Sequence, residues 1–512
     1  MSTIHREEFK SDLSASPVLQ TLEQSNFNRN HLKAVVVSGV GFLADMYDLF
    51  SINIILPMIG FVYFSGNKNT IPTDLNSLLT AAATVGAILG QLVFGFLSDR
   101  LGRKRMYGIE LLIVFVATLG ACLASNTGGG VSIIAVLGFW RVVQGVGIGA
   151  ATISAEFSNR TRRGAMLAAV FSMQGVGILL SSFIGIIFLQ IFKGAIEQDV
   201  NAMDHVWRII TVFGVVPAAF ALYYRLTIPE SPRYTLKVLK DSETAERDVA
   251  KFFHSGSKPS DASNNATAPV ARHASAQPAF KPTWRKFRAY FGQSKNAKIL
   301  IGTSLSWFLI DIAVYGLGLN NSLIIQAIGF APSNAEPFQK VWLILLGNLI
   351  VSLLGNVPGY FIAIPLVEIV GRRRLQLVSF AVLTVIYIVL AVAYNQILQT
   401  SVALFMVIYT LGQFFIQCGP NSTTFIIPVE VFPTQWRSTG HGISAAAGKL
   451  GAAIASYGFG RLAQPSSLGV EGTLGILAGV MFCGTLVTYF LVPETKGLVL
   501  PEDVGDEHNE DI

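Results

Sequence analysis

Charged residues are scarce in this chain of 512 residues. Asp, Glu, Lys and Arg together make up 13% of the sequence, whereas hydrophobic residues make up 52% and the mean hydropathy is +0.53. An ordinary soluble domain carries about 25% charged residues. A long chain with so few charges has too little polar surface to coat water-soluble domains, so the composition predicts a membrane protein.

Cysteine is also scarce, and the three that occur lie far apart in apolar stretches, at Cys122, Cys418 and Cys483. This excludes a disulfide framework and a zinc site, and we expect no metal and no cofactor. The formal charge of +6 is not gathered into a basic face, so we expect no nucleic-acid partner. Because no nucleophile–base arrangement occurs in or near the apolar runs, we also expect that the protein is not an enzyme.

Long apolar runs, in contrast, recur along nearly the whole chain. About 20 residues are needed to cross a hydrocarbon core of ~30 Å, and twelve runs reach this length. Backbone groups in lipid must be satisfied within the chain, so the runs are predicted to be helices. The predicted spans are 35–63, 76–98, 106–125, 131–156, 164–192, 205–226, 298–325, 341–367, 375–394, 400–428, 439–462 and 471–492.

A polar stretch divides the twelve predicted spans into two sets of six. The Lys and Arg residues of the short loops follow spans two, four and eight, whereas the loops of the other side near 64–75, 126–130 and 395–399 hold only Lys68. The positive-inside rule therefore places both termini and the long linker in the cytosol. The predicted organisation is a cytosolic tail at 1–34, a six-helix half at 35–228, a cytosolic linker at 229–297, a second half at 298–493 and a cytosolic tail at 494–512.

The two halves carry a similar pattern of an acid, a glycine and a basic cluster at matching positions, after spans two and eight. Such a pattern suits a tight turn whose charges can lock and release, although a solvated basic loop is the alternative. Two six-helix halves predict a substrate site between them near the bilayer midplane, with alternating access. The candidate gating residues are Gly95, Asp99, Arg100, Gly102, Arg103, Glu368, Gly371 and Arg372.

Carboxylates inside predicted spans are candidates for proton coupling, because a charge in lipid is costly and usually faces a cavity. Asp45 and Asp48 lie three residues apart on one face of span one. Asp311 lies in the middle of span seven, with Trp307 and Tyr315 one turn away on either side. A protonated Asp311 can donate a hydrogen bond to an anion, whereas an ionised Asp311 repels it. This would couple proton binding to anion binding. The alternative is a set of structural hydrogen bonds within packed aromatic side chains.

Two further polar side chains lie inside predicted spans of the second half. Lys449 is too deep in span eleven to reach the membrane surface, so its ammonium is a candidate counter-charge for an anion. Asn421 can donate to and accept from an oxyanion, or it can join two helices by hydrogen bonds.

Several segments resemble a known family. The loop at 95–104 resembles the signature loop of the major facilitator superfamily, and the segments 229–233 and 493–497 resemble the end-of-half motifs of its sugar-porter-related branches. The segments 41–50, 307–315, 419–425 and the pair Gly448 and Lys449 resemble the fungal and plant phosphate:proton symporters. The resemblance covers about residues 35 to 495. It implies an all-α membrane protein with twelve transmembrane helices in two six-helix halves, the major facilitator fold.

The resemblance also implies a function: proton-coupled uptake of inorganic phosphate across the plasma membrane, with phosphate, protons and the lipid bilayer as partners. In the family, the position of Asp45 takes part in proton transfer, and those of Trp307, Asp311 and Tyr315 serve the substrate. Gln174 resembles the substrate glutamine of the family, with helix–helix hydrogen bonding as its alternative role.

Span four departs from the family pattern, which runs Gly-Gly-Asp-Tyr-Pro-Leu-Ser-Ala-Thr-Ile. Here residues 147–154 read Gly-Ile-Gly-Ala-Ala-Thr-Ile-Ser, and about five residues are missing, including the Asp and Tyr. The departure leaves open a diverged transporter, an inactive or sensory relative, and an artefact of sequence assembly. Two alternative functions therefore stand beside phosphate uptake: a carrier of another anion, such as a glycerophosphodiester or organic acid, and a non-transporting phosphate receptor.

Overall fold

The structure is a computed structural model, and it describes residues 29–101, 103–126, 132–148, 162–227, 283–433 and 435–497. These residues form helices and short connections, and no strand occurs among them. The prediction of an all-α fold is confirmed.

The described residues of the first half form six membrane helices, of which the sixth is broken at Gly214. They are α1 (Arg29–Tyr63), α2 (Thr73–Leu101), α3 (Arg103–Cys122), α4 (Ile133–Gly147), α5 (Arg163–Ile191) and α6 (Met203–Phe213 followed by Val215–Thr227).

Residues 283–433 and 435–497 of the second half form six more membrane helices. They are α7 (Ser294–Gly318), α8 (Pro337–Ile369), α9 (Arg372–Val392), α10 (Val402–Val431), α11 (Arg437–Leu462) and α12 (Gly469–Leu491). Within the described ranges, four short α-helices lie outside this set: Lys193–Gln198, Trp284–Phe291, Asn321–Ala327 and Tyr394–Thr400.

Most of these helices are apolar enough to cross a bilayer. Within the described ranges, nine helical segments have the length and hydropathy of a membrane span, and Gly108–Cys122 and Ile133–Gly147 are shorter apolar helices. α11 is the exception, since it is long but rich in Gly, Ala and Ser and carries Lys449 in its interior. A helix of this composition is suited to the centre of a bundle, where small residues permit close packing.

Two spans of the second half contain a π-helical turn. It lies at Ser352–Asn356 in α8 and at Gln417–Asn421 in α10, where Pro420 removes a backbone donor. Each turn carries a buried amide side chain, Asn356 in α8 and Gln417 in α10. The two amides meet between the helices, where Gln417 donates to Asn356.

The two halves pack against each other through α2 with α11 and through α5 with α8. The first contact is close because glycines face each other: a Cβ on Gly95 would lie 3.1 Å from the Cα of Gly442. Gly95, which the sequence suggested as part of a gating turn, therefore lies inside the helix–helix contact between the halves.

Several predicted features lie outside the described residues. They are Gly102, the shortened end of span four at 149–161, and positions 228–282 of the predicted linker. The side chains of Asp99, Arg100 and Arg103 are also outside the description. At the end of the predicted linker the structure has the helix Trp284–Phe291, which the sequence interpretation did not expect.

Candidate functional site

A small cavity of about 40 Å³ lies between the two halves, and we call it the central cavity. Helices of both halves line it: α1, α2, α3 and α5 from the first half, and α7, α10 and α11 from the second. All six candidate substrate residues and one of the two candidate acids of α1 line this cavity: Gln174, Trp307, Asp311, Tyr315, Asn421, Lys449 and Asp45.

Lys449 is the centre of the polar contacts in this cavity. Its ammonium donates to Asp311 Oδ2 at 2.9 Å and to the Tyr315 hydroxyl at 2.7 Å, and it lies 4.2 Å from the centroid of the Tyr315 ring. Lys449 and Asp311 are both buried, with 9% and 1% of their side chains exposed. The two opposite charges therefore offset each other in a place where water does not.

Aromatic rings enclose one side of the central cavity. Trp307 and Phe425 both pack edge-to-face against the imidazole of His441, with ring centroids 5.2 and 5.4 Å apart. Phe171 of the first half stacks on Phe425 of the second at 4.6 Å. These rings exclude water and hold the facing helices at a fixed separation.

A chain of amide and phenol groups continues from the cavity across the interface between the halves. The Tyr360 hydroxyl donates to Gln174 Oε1 at 3.0 Å and accepts from Asn421 Nδ2 at 2.9 Å. Asn421 also donates to Gln417. Gln174 of the first half and Asn421 of the second are thus joined through one tyrosine, and both remain at the cavity wall.

The two acids of α1 separate in the structure. Asp45 lines the central cavity, whereas Asp48 lies among the helices of the first half. Thr118 donates to Asp48 Oδ2 at 2.8 Å, and Gln144 donates to Thr118 at 3.0 Å. α6 passes close by because Gly214 has no side chain; a Cβ there would lie 1.8 Å from Asp48 Oδ1.

A network of charged side chains lies near the first residues of α5 and α9. The guanidinium of Arg372 pairs with Glu430 and with Glu368, each at 2.8 Å. Glu368 also accepts from the backbone N–H of Ala165 at 3.0 Å, which joins the second half to the first. Two of the candidate gating residues therefore meet in a buried network, and Glu430 joins them from α10.

Gly371 shapes this network through its backbone. Its φ of 100° is one that residues with a Cβ rarely adopt, and a Cβ there would lie 2.7 Å from Glu494. Glu494 in turn accepts from the backbone N–H groups of Arg372, Thr495 and Lys496. The glycine thus permits the segment after α12 to pack against the turn between α8 and α9.

Sequence reasoning missed several residues of these sites. Glu110, Gln91 and His441 also line the central cavity, and Tyr360 bridges its walls. Glu110 lies inside predicted span three, so the rule that selected Asp45 would also have selected Glu110. Tyr360 had no such signal, because a tyrosine in an apolar span is most often a packing residue.

The geometry suits the reversible binding of a small anion. An anion that enters can replace the Asp311 carboxylate as the partner of Lys449. It can also accept hydrogen bonds from the hydroxyl and amide groups of the cavity wall. The described part of the chain contains no group of three or more His, Cys, Asp or Glu side chains placed to hold a metal ion.

Comparisons with known proteins show the family of this chain. Residues 33–502 match the family described as Sugar (and other) transporter. The chain is 40% identical to the repressible high-affinity phosphate permease of Neurospora crassa, over 95% of this chain and 89% of the relative. It is 37% identical to the inorganic phosphate transporter PHO84 of Saccharomyces cerevisiae (96% and 87%) and 36% identical to inorganic phosphate transporter 1-1 of Oryza sativa subsp. japonica (96% and 98%).

Solved structures support the same fold. The major facilitator superfamily proton:xylose symporter XylE bound to 6-bromo-6-deoxy-D-glucose superposes with a TM-score of 0.69 at 20% identity, over 92% of this chain and 98% of that one. The family and the relatives are transporters, so the prediction that the chain is not an enzyme is confirmed. The chain is a multi-pass membrane protein that belongs to the sugar (and other) transporter family of the major facilitator superfamily, in the branch of the fungal and plant inorganic phosphate transporters.

Proposed function

We propose that this protein carries inorganic phosphate together with protons into the cell across the plasma membrane. The observation that carries the proposal is the buried contact of Lys449 with Asp311 and Tyr315 in a cavity between the two halves. The relatives named as inorganic phosphate transporters or permeases, at 36–40% identity, support the choice of phosphate.

Lys449 and Asp311 supply a physical basis for coupling. A buried ammonium needs a negative partner, and Asp311 provides it when the cavity holds no anion. When phosphate binds Lys449, the ionised Asp311 lies beside a second negative charge, which strongly disfavours that state. Protonation of Asp311 removes the repulsion and turns the carboxyl group into a donor. Proton and anion binding therefore favour each other.

Asp45 is the second proton-coupling residue of the proposal, because it lines the same cavity from the other half. Asp48 would act indirectly, since it lies outside the cavity against Thr118. Gln174, Trp307 and Asn421 complete the substrate contacts in this proposal. The network of Glu368 and Arg372 would open and close with the movement of the halves.

The membrane potential sets a lower limit on the proton number. With both termini in the cytosol, each positive charge that moves inward gains about 2.3 kcal/mol per 100 mV. Dihydrogen phosphate brings in one negative charge. At least two protons must accompany it if the potential is to drive uptake, and Asp45 and Asp311, two of the three acids that line the cavity, offer two such positions.

Labelled-phosphate uptake tests the proposal. The chain would be expressed in cells that lack their own high-affinity phosphate carriers, with surface expression verified, and uptake measured at pH 4.5 and 7.5 with and without a protonophore. We expect uptake that is stronger at pH 4.5 and collapses with the protonophore. Uptake that persists with the protonophore would contradict proton coupling.

A competition panel tests the substrate. Unlabelled phosphate should compete with the label, whereas glycerophosphodiesters and organic acids at the same concentration should not. Binding of phosphate to surface-expressed protein without any flux would instead support a receptor.

A further inference from the structure

A second cavity lies between the halves, nearer the ends of α1 and α7, and it is much larger than the central one. Its volume is about 320 Å³, within the range of ligand pockets of roughly 300–1,000 Å³. We call it the vestibule. It lies where α1 ends at Tyr63, α7 ends at Gly318 and α11 ends at Leu462, opposite the Arg372 network, and thus faces outward in the orientation proposed above.

The side chains that line the vestibule carry charge of one sign only, which is positive. Lys340 is the single charged residue among those that line it. The Lys340 ammonium lies 6.0 Å from the centroid of the Phe61 ring, and no carboxylate among the described residues pairs with it. Asp74, which follows the lining residue Thr73, pairs with Arg461 at 2.6 Å, and Glu336 is exposed outside the lining.

The remaining polar lining consists of neutral groups that can donate hydrogen bonds. Asn53, Gln326 and Gln464 each use one amide N–H within the protein and keep a second one. Together with the half-buried ammonium these N–H groups favour an anion, while a cation would find no negative charge there. These neutral side chains come from both halves: Asn53, Asn69, Thr70, Thr73, Asn76, Asn320, Ser322, Gln326 and Gln464.

A short barrier separates the vestibule from the central cavity. The rings of Phe50 and Tyr315 lie 6.1 Å apart, and Gly318 packs on Phe50 so closely that a Cβ would lie 2.7 Å from it. Asn53 donates to the Gly318 carbonyl, and Ser322 donates to the Asn53 carbonyl at 2.7 Å. Along α7, only about 6 Å separate Tyr315 from the vestibule wall at Leu319.

From these observations we propose that the vestibule is a second anion site, which holds an inorganic oxyanion at Lys340 while the barrier to the central cavity is closed. As a loading site for transport, this role rests on the proposed function. The ligand class follows from the lone cation and the neutral donors of the lining.

Lys340→Gln tests the site, with Lys193→Gln as the matched control. Lys193 lies between α5 and α6 at the same end of the molecule, is exposed, pairs with Glu197 at 3.8 Å and does not line the vestibule. In phosphate uptake, we expect Lys340→Gln to raise the apparent KM about tenfold with kcat retained. Lys340→Arg keeps the positive charge and should have a KM close to that of the unchanged chain. Lys193→Gln should leave both constants unchanged. An unchanged KM in Lys340→Gln would overturn the loading role.

A labelling experiment tests the same site without transport. Gln326→Cys places a thiol in the vestibule wall of the full-length chain, and its reaction with membrane-impermeant thiosulfonates is followed from outside the cell. We expect the anionic reagent to react about tenfold more slowly once Lys340 is changed to Gln, and a neutral reagent to react equally with both. Inorganic phosphate or sulfate should slow labelling only when Lys340 is present.

The two experiments distinguish failure of the proposed function from failure of the proposed anion site. If the unmodified chain moves no phosphate but oxyanions protect the introduced thiol through Lys340, the proposed function fails and the anion site stands. If phosphate and sulfate do not protect the thiol, or protect it equally after Lys340→Gln, the site is overturned whatever the chain transports. An absence of labelling from outside, with labelling in opened membranes, would overturn its outward position.

Discussion

The carboxylate of Glu368 accepts a hydrogen bond from the backbone N–H of Ala165 at 3.0 Å, across the boundary between the two halves. The same carboxylate pairs with Arg372, which pairs with Glu430. In the proposed mechanism these contacts close one end of the substrate path, and movement of the halves must break the contact at Ala165.

Replacement of the two acids of this network should have unequal effects on stability. Glu430 has 4% of its side chain exposed and Glu368 has 26%. Glu430→Gln removes a charge from a buried pair and should destabilise the fold by about 3 kcal/mol, whereas Glu368→Gln should cost under about 1 kcal/mol. Thermal unfolding of the purified variants measures the difference, and equal Tm values for the two variants would contradict it.

Lys449→Gln should abolish phosphate uptake and lower the Tm, because it leaves the Asp311 carboxylate buried without its cation. Breaking a buried pair in this way costs about 3–5 kcal/mol. The double variant Asp311→Asn with Lys449→Gln should recover much of the Tm but none of the uptake, since the charge imbalance is gone and the anion still lacks its partner. Additive losses of stability would show that the pair is not coupled.

Tyr360→Phe should lower phosphate uptake about tenfold with little change in Tm. The variant removes only the hydroxyl that joins Gln174 to Asn421, a loss of about 1.5 kcal/mol or less in hydrogen bonding. Tyr387→Phe is the matched control, because Tyr387 is equally buried and its hydroxyl has no hydrogen-bond partner in the described part of the chain. Similar uptake by both variants would remove Tyr360 from the site.

Gly145→Ala should destabilise the first half by about 1–3 kcal/mol, because a Cβ at this position would lie 2.0 Å from the Ala83 carbonyl oxygen of α2. Gly479→Ala in α12 is the control, since a Cβ there meets nothing within 4 Å. Because Ala has a higher helix propensity than Gly, the Gly479→Ala variant should have an equal or slightly higher Tm. A drop in Tm of the same size for both would point to a general effect of replacing glycine in these helices.

The fold could be predicted to a large extent from the sequence, because apolar length alone selects helices that span a bilayer. α11 was also predicted as an apolar run, at 439–462, although its Gly, Ala and Ser content keeps its hydropathy below that of the other long helices in the described part of the chain. Asp311, Trp307 and Tyr315 were selected as a set because a helix places residues four apart on one side.

The separation of Asp45 from Asp48 was not predictable in this way. Both lie on α1 three residues apart, and only the packing of α3 and α6 decides that Asp48 contacts Thr118 while Asp45 reaches the cavity. Glu430 likewise lies just beyond a predicted span, and its pairing with Arg372 depends on how α10 approaches α9.

The sequence by itself determined that this protein lies in the membrane as two six-helix halves, and which buried polar residues are candidates for its chemistry. Both follow from the cost of placing charge and unpaired backbone in lipid, which acts residue by residue. The tertiary structure alone decided that Lys449 pairs with Asp311, that Tyr360 joins the halves, and that Lys340 faces a cavity whose described lining is free of carboxylates. These relationships join residues far apart in the chain, so they depend on how the helices pack rather than on any local pattern.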